Sequence, residues 1–374
     1  MLPGPTNVPD RVMRAMMKPM ISHRGPEFHA LYESLTDRLK QVFQTKGDVF
    51  VLTSSGTGGA ECAVSNVINP GDRVIVPVFG TFSGRLKEKI LRRGGEAIEI
   101  PVKEGEAPTA EQVEEALNKK KGVKAIALVY NETSTGVTVR DLPKIGGISR
   151  KRDILLIVDA VSILGGDYLP VDEWGVDICV TGSQKCLSCP PGLAIISVSE
   201  RAWKIIEETS RPYYFDLTLF REFSERRETP ATPAVPLFYA LEEALKMVLE
   251  EGLEERFRRH ATCAKAFYRA GEALVLTSLA KEEHRSNTVI ALNVPAGVDN
   301  AEVIRIMRES YGVVIEGGIG KLKKSIFRIG CMGMISEAET LMTVSALENS
   351  LMDTGYSVKI GAGMEKARQA FRSR

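Results

Sequence analysis

A single lysine, Lys185, lies in a stretch of small and apolar residues, DICVTGSQKCLSCPPG at 177–192. Asp177 is the only charged residue among the eight before it, and the seven after it have no charge. Such surroundings favour a partly desolvated amine with a lowered pKa, which can attack a carbonyl carbon. The same surroundings also fit a solvated lysine in a surface loop. Other features of the sequence are needed to distinguish a reactive lysine from a surface lysine.

An acidic residue, Asp159, ends the apolar run DILLIVDAV at 153–161. A carboxylate in that position is costly unless it is paired or hydrogen-bonded, and a structural cap is the simplest explanation. Lys185 follows 26 positions later, at the end of the next predicted strand. An aspartate and a lysine at the ends of neighbouring strands indicate a pyridoxal phosphate site. There the aspartate pairs with the pyridinium nitrogen and the lysine forms the Schiff base.

Seven short apolar runs follow one another from Asp48 to about Ser199, with amphipathic stretches such as FSGRLKEKILRRG between most of them. The runs are DVFVLTSS, DRVIVPV, EAIEIPV, KAIALVY, DILLIVDAV, DICVTGS and LAIISVS. Strands that are apolar along nearly their whole length are covered on both faces. The predicted fold class is therefore α/β, with a large domain built on a seven-stranded, mostly parallel sheet.

The last third of the chain has a different pattern. A long helical stretch begins at about Pro236, with Gly252 as a bend, and is followed by a strand, a helix, two strands and a helix. This pattern predicts a smaller α+β domain. The expected organisation is an N-terminal arm at 1–14, a large cofactor-binding domain at 15–251 and a small C-terminal domain at 252–374.

The glycine-rich segment SSGTGGAE at 54–61 follows the first strand and opens a helix. Backbone N–H groups at such a helix start can hold a phosphate. No GK[ST] follows, so the segment is not a nucleotide P-loop, and a plain tight turn is the alternative.

Composition excludes several classes of function. The formal net charge is +1, so no global field attracts nucleic acid or a membrane surface. There is no signal-peptide pattern at MLPGPTNVPD and no apolar run of membrane-spanning length, so we expect a cytoplasmic protein with reduced cysteines. Cys186 and Cys189 form a lone CxxC without a second ligand pair, and no metal site is expected.

Taken together, the motifs resemble those of the class V aminotransferases, a family of fold-type I pyridoxal phosphate enzymes. The resemblance covers essentially the whole chain and is strongest to the alanine–glyoxylate, serine–glyoxylate and serine–pyruvate branch. The matching segments are LPGPTNVP at 2–9, HRGPEF at 23–28, SSGTGGAE at 54–61, NETSTG at 131–136, DAVSILGG at 159–166, GSQKCLSCPPG at 182–192, TPATP at 229–233 and FRIGCMG at 327–333.

The resemblance implies a role for each matching residue. Lys185 would bond the cofactor and afterwards move a proton at the substrate Cα, while Asp159 would keep the ring nitrogen protonated. Phe82 would stack on the cofactor ring, Val161 would pack against its other face, and Thr133 would hydrogen-bond near the ring hydroxyl.

Further roles are implied for the phosphate and for the substrate. The phosphate would be bound by Ser55, Gly56, Thr57 and Gln184. Arg328 would take the α-carboxylate of the substrate with its guanidinium fork.

Thr229 and Thr232 match positions that reach the phosphate of the neighbouring subunit's cofactor. The resemblance therefore implies a homodimer, since neither site would be complete in a monomer.

A few residues depart from the family pattern. Ile163 stands where a second serine is common, near the expected carboxylate site, so the pocket is expected either to be more apolar or to use another donor. Cys331 stands where histidine is frequent, Tyr130 where a histidine often precedes NETSTG, and Cys186 and Cys189 replace small residues. None of these changes removes a catalytic group, but they leave the choice of substrate open.

The expected function is transfer of an amino group from alanine or serine to glyoxylate or pyruvate. Related branches that use ureidoglycine, phosphonate aldehydes or pyridoxamine remain alternatives. A cysteine desulfurase would have a histidine where Gln184 stands and a mobile catalytic cysteine. A non-catalytic scaffold subunit is the alternative from a different class.

Overall fold

The structure is a computed structural model that describes residues 1–372 of the chain. Its strands, in chain order, are β1 (Asp48–Thr53), β2 (Arg73–Val78), β3 (Glu96–Pro101), β4 (Val123–Val129), β5 (Asn131–Glu132), β6 (Val137–Thr138), β7 (Leu155–Asp159), β8 (Ile178–Gly182), β9 (Leu193–Val198), β10 (Val289–Asn293), β11 (Glu316–Gly317) and β12 (Ile326–Gly330).

The α-helices cover both faces of the larger sheet and build most of the C-terminal third. They are α1 (Asp10–Ala15), α2 (Pro26–Phe43), α3 (Gly56–Val67), α4 (Thr81–Arg92), α5 (Ala110–Lys119), α6 (Leu142–Lys151), α7 (Glu200–Ile206), α8 (Leu217–Ser224), α9 (Val235–Glu251), α10 (Leu253–Ala273), α11 (Asn300–Tyr311), α12 (Glu337–Asp353) and α13 (Ala362–Arg372).

Seven strands form one sheet in the order β1-β9-β8-β7-β4-β2-β3. Six of them run in the same direction, and β9 is antiparallel to both of its neighbours, β1 and β8. The central strands are buried almost throughout, because helices cover both faces of the sheet. The predicted α/β fold with a seven-stranded, mostly parallel sheet is confirmed.

Helix α3 lies unusually close to the sheet. A Cβ at Gly59 would lie 2.8 Å from Val180 Cγ1 and 2.9 Å from Ala194 Cβ, so only glycine permits this approach. The close packing brings the N-terminus of α3 to the edge where the parallel strands end.

The path from the large sheet to the rest of the chain bends at Gly252, which has φ of +81° and separates α9 from α10. Beyond it, β10, β12 and β11 form an antiparallel sheet with its own hydrophobic core, shared with α10, α12 and α13. This break supports 15–251 and 252–374 as proposed domain ranges. Helix α1 crosses the other proposed boundary, at 14/15.

Among the described helices, none is both long enough and apolar enough to cross a bilayer.

Candidate active site

The pairing of β7 with β8 brings together Asp159 and Lys185, the two candidate catalytic residues of the sequence. The strands are parallel neighbours, with Asp159 opposite Val180, and Lys185 follows three residues after the end of β8. Asp159 and Lys185 line the same pocket, which has a volume of about 290 Å³ and lies at the carboxyl edge of the sheet. This is the edge where ligands of open α/β sheets bind.

The pocket shifts the pKa values of both groups towards neutrality. Burial raises the pKa of Asp159 to about 6, against the opposing effect of a hydrogen bond from Val161 N to Asp159 Oδ1 at 3.0 Å. Burial lowers the pKa of Lys185 to about 8. Lys185 is therefore partly desolvated, as its apolar sequence surroundings indicate, and more of its amine is unprotonated near neutral pH than in a solvated lysine.

The N-terminus of α3 forms a second wall of the pocket. Ser55 is the N-cap, and its Oγ accepts a hydrogen bond from Gly58 N at 3.3 Å. The first turn contains no acidic residue, and a Cβ at Gly56 would lie 2.8 Å from Val161 Cγ2. The positive end of a helix that reaches into a pocket at a glycine suits a phosphate group.

Gln184 lies beside this helix end and lines the pocket. Its side-chain oxygen is buried and has no hydrogen-bond partner within residues 1–372. A buried side chain with an unpaired polar atom in a pocket indicates a missing polar partner. The oxygen of Gln184 can only accept, so the NH₂ group of the same side chain is the part that can donate to a phosphate. This NH₂ group, the helix end, Asp159 and Lys185 fit the phosphate, ring nitrogen and carbonyl of pyridoxal phosphate.

The side chains expected at the cofactor ring lie in the same pocket. Phe82 is on the first turn of α4, Val161 follows Asp159, and Thr133 is in the buried segment after β4. The structure thus brings Phe82, Val161 and Thr133 into one place, together with Ser55, Gly56, Thr57, Gln184, Asp159 and Lys185.

Arg328 is on β12 and is 6% exposed. Its Nε donates to Gly317 O at 2.7 Å, and its Nη1 donates to Thr133 O at 3.3 Å. Burial lowers the pKa of the guanidinium from its ordinary value. The contact with Thr133 places the arginine beside the wall of the pocket.

Thr229 and Thr232 lie elsewhere. They line a separate cleft together with Tyr213, Tyr214 and Phe220, outside the pocket that contains Lys185. Tyr213 is 85% exposed. Within one chain, these threonines have no part in the Lys185 pocket.

The position of Ile163 favours one of the two expectations at this site. Ile163 is fully buried in the large hydrophobic core and is not among the residues that line the pocket, which argues against a more apolar pocket wall. The preceding residue, Ser162, lines the pocket instead, and its Oγ donates to Asn131 O at 2.9 Å. After Asp159 the chain makes a tight turn, with Ile163 N bonded to Ala160 O, and this directs the isoleucine into the core.

The N-terminal segment is a part of the site that the sequence analysis missed. Gly4 and Pro5 line the pocket, Lys185 Nζ donates to Pro3 O, and Thr6 N donates to Gln184 O at 3.0 Å. A Cβ at Gly4, whose φ is +109°, would lie 2.3 Å from Lys185 Nζ. The Gly-Pro pair was the available signal, since it marks a backbone with special geometry.

Two basic residues of the pocket were also missed. Arg85 and Lys89 line it, and the guanidinium carbon of Arg85 lies 5.1 Å from the centre of the Phe82 ring. They follow Phe82 by three and seven positions on α4. Helical periodicity puts residues at this spacing on the same face of the helix as Phe82, and this was the signal available in the sequence.

Comparisons with known proteins agree with this geometry. The family model described as aminotransferase class-V matches residues 2–335. An uncharacterized aminotransferase of Methanocaldococcus jannaschii is 43% identical, with 99% of this chain and 96% of that protein covered. The serine–glyoxylate aminotransferase of Methylorubrum extorquens is 38% identical, with 99% and 95% covered. The structure of ureidoglycine–glyoxylate aminotransferase from Bacillus subtilis gives a TM-score of 0.94 at 32% identity, with 100% and 97% covered.

The raised pKa of Asp159 generates a prediction about stability. The folded protein without ligand binds this proton up to about pH 6, whereas an unfolded aspartate releases it near pH 4, so stability is lost as pH rises between these values. Asp159→Asn, which keeps the acceptor for Val161 N, should therefore stabilise the ligand-free protein at pH 7.5. The expected gain is at most about 3 kcal/mol.

Urea unfolding of the wild-type and variant proteins from pH 4 to pH 8 measures this difference. The two curves should converge near pH 4. A variant that is equally or less stable at every pH would show that Asp159 is not strained by burial.

Proposed function

The chain belongs to the class V aminotransferases, which are pyridoxal phosphate-dependent transaminases, and we propose that it moves an amino group from a small amino acid to glyoxylate or pyruvate. The observation that carries this proposal is the shared pocket of Asp159, Lys185 and the N-terminus of α3. Alanine and serine are the proposed donors. The serine–glyoxylate relative supports this choice, being more similar in sequence, at 38%, than the ureidoglycine-linked structure, at 32%.

The proposed role of the first group of residues is to hold the cofactor. Ser55, Gly56 and Thr57 at the start of α3, with Gln184, would bind the phosphate through backbone and side-chain donors. Phe82 and Val161 would face the two sides of the ring, and Thr133 would lie near its hydroxyl. When bound, pyridoxal phosphate supplies a carbonyl carbon for the amine and a ring that withdraws electrons from the substrate Cα.

Asp159 and Lys185 would supply the charges and the proton transfer. With a pKa of about 6, Asp159 is ionised near neutral pH and would hold a proton at the ring nitrogen by charge attraction. Lys185, with a pKa of about 8, can accept a proton at the substrate Cα and return it within the same site. A pKa near the working pH suits a group that must both take and give a proton.

Arg328 would bind the α-carboxylate of both the amino acid and the 2-oxo acid. Its buried guanidinium can form two parallel hydrogen bonds to a carboxylate, which fixes the orientation of the adjacent Cα. Arg328 also contacts Thr133 O, and Thr133 would lie near the ring hydroxyl. This contact would hold the bound carboxylate in a fixed position relative to the cofactor ring.

A cysteine desulfurase is less compatible with the thiols of this chain. All six cysteines are buried. Cys331 Sγ donates to His260 O at 3.7 Å, and burial raises its pKa well above the ordinary value. A sulfur-transfer nucleophile needs the opposite, an accessible thiol with a lowered pKa.

We also propose a cytoplasmic homodimer with sites shared between the subunits. The buried thiols of Cys186 and Cys189, next to Lys185, suit a reducing compartment. Thr229 and Thr232 lie outside the pocket of their own chain, beside the exposed ring of Tyr213. Tyr213 and Tyr214 are both exposed in this cleft, and contiguous exposed apolar groups mark interaction surfaces. We therefore propose that a second subunit covers the cleft and that the threonines reach the phosphate site of that subunit.

The first test of the function is a half-reaction. Alanine or serine, mixed with the protein loaded with pyridoxal phosphate, should abolish the visible absorbance of the cofactor, and glyoxylate or pyruvate should restore it. Lys185→Ala should show no conversion, because the proton at Cα has no acceptor, whereas the exposed control Lys144→Ala should behave as wild type. Bound cofactor that no small amino acid converts would overturn the proposed substrates.

The role of Arg328 is tested by steady-state kinetics. Arg328→Ala should raise KM about tenfold to a hundredfold for every α-carboxylate substrate, the loss expected for charge-assisted hydrogen bonds. Cofactor affinity should change little. The matched control is Arg305→Ala, an arginine of α11 that pairs with Glu302 and Glu309 at the protein surface. An unchanged KM in Arg328→Ala would assign the carboxylate to another residue.

The shared site is tested by mass and cofactor affinity together. Light scattering should give twice the chain mass of 41.0 kDa. Thr232→Val should raise the Kd for pyridoxal phosphate several-fold without changing that mass, while the control Thr262→Val on α10 should change neither. A monomeric mass, or an unchanged Kd in Thr232→Val, would contradict the proposed sharing.

A further inference from the structure

Glu132 is a fully buried glutamate, 0% exposed, in the short strand that follows β4. Its carboxylate accepts five hydrogen bonds. Oε1 accepts from Phe82 N at 3.1 Å, from Ser134 N at 3.1 Å and from Ser134 Oγ at 2.6 Å. Oε2 accepts from Ser83 N at 2.8 Å and from Ser83 Oγ at 2.9 Å. A buried carboxylate with this many donors is firmly fixed in place.

Three of the five donors, Phe82 N, Ser83 N and Ser83 Oγ, belong to the start of α4, the helix whose first turn contains Phe82, and the other two belong to Ser134. The N-cap position of α4 is Gly80, where a Cβ would lie 2.4 Å from both Cγ and Cδ of Glu132. The next N–H group, that of Thr81, donates to Ser134 Oγ at 2.9 Å. Glu132 and Ser134 together therefore accept from the N–H groups of Thr81, Phe82 and Ser83, which a helix leaves without intrahelical partners.

The origin of this cap is unusual. A serine or threonine at the N-cap would satisfy one of these donors locally and would avoid the desolvation of a buried charge. Here the acceptor comes from a strand end 50 residues later in the chain. A long-range cap of this kind fixes the helix relative to the sheet as well as stabilising its first turn.

We propose that Glu132 is a positioning residue that fixes Phe82 against the cofactor ring. The inference rests on the proposed role of Phe82 in stacking, and it adds a residue for which the family resemblance implied no role. The same segment also reaches the substrate side of the pocket, because Thr133 O accepts from Arg328 Nη1 at 3.3 Å. The Glu132 carboxylate thus fixes the start of α4, which contains Phe82, and the next residue, Thr133, contacts Arg328.

The chain contains a matched control for the test. Glu348 is also buried, 3% exposed, and its carboxylate accepts from Gly361 N and Gly363 N at the start of α13, in the C-terminal core. Glu132→Gln and Glu348→Gln make the same chemical change at two helix starts. In each, an amide NH₂ group faces backbone N–H donors, so both variants should lose thermal stability.

Only Glu132→Gln should change cofactor binding. The Kd of this variant for pyridoxal phosphate should rise about tenfold, the factor that corresponds to one lost hydrogen bond to a charged group. The visible circular dichroism of the bound cofactor should weaken, because the ring is held less firmly against Phe82. Glu348→Gln should keep the wild-type Kd and spectrum. Wild-type values for both measurements in a destabilised Glu132→Gln would overturn the proposal.

Hydrogen exchange of the protein without cofactor separates this proposal from the proposed function. The amides of Phe82 and Ser83 should exchange at least about tenfold faster in Glu132→Gln than in wild type or Glu348→Gln. Unchanged exchange overturns the role of Glu132 even if the protein is a transaminase. If the wild-type protein binds no pyridoxal phosphate but exchange at Phe82 and Ser83 is still faster in Glu132→Gln, the proposed function is wrong and the role of Glu132 in anchoring the helix stands.

A milder variant covers the case in which Glu132→Gln does not fold. Ser134→Ala removes one hydrogen bond to Glu132 Oε1 and the acceptor for Thr81 N, and leaves the carboxylate in place. It should raise the Kd for pyridoxal phosphate and speed exchange at Phe82 by smaller factors in the same direction. Wild-type values in this variant would count against the anchor.

Discussion

The hydrogen-bonded pairing of β7 with β8 is the constraint on which the site depends. Because these strands are parallel neighbours, their carboxyl ends meet at one edge of the sheet, and Asp159 and Lys185 come to line one pocket. Helix α3 then approaches β8 and β9 closely enough, at Gly59, for its N-terminus to reach the same edge. An acid, an amine and a positive helix end are thereby collected in one place, although they lie far apart in the chain.

Partial removal of water from this pocket acts on its two charged groups in opposite directions. Burial raises the pKa of Asp159 to about 6 and lowers the pKa of Lys185 to about 8. Each charged form is held at a cost in the ligand-free protein, and a bound cofactor with a ring nitrogen and a carbonyl would offset that cost. The chemistry proposed for the transaminase thus follows from local dehydration, which the surrounding elements maintain.

Three further parts of the chain lie at the pocket or directly beside it. The N-terminal segment contacts Lys185 through Pro3 O and Gln184 through Thr6, while β12 contributes Arg328 from the smaller sheet. The segment after β4 connects β12 with α4, since Glu132 accepts from Phe82 N and Thr133 O accepts from Arg328. The start of α4 and Arg328 are therefore held by neighbouring residues of one segment.

Local pattern was sufficient for the framework of this protein. The seven apolar runs predicted the larger sheet, and the residues at the ends of β7 and β8 predicted the central pair of the pocket, because strand periodicity and strand ends are properties of short segments. Motif resemblance added Ser55, Phe82, Thr133 and Arg328. Tertiary structure alone decided that Ile163 faces the core, that Gly4 lies against Lys185 and that Glu132 caps a helix 50 residues away. Each of these depends on contacts between distant segments, and such contacts leave no periodic trace in the sequence.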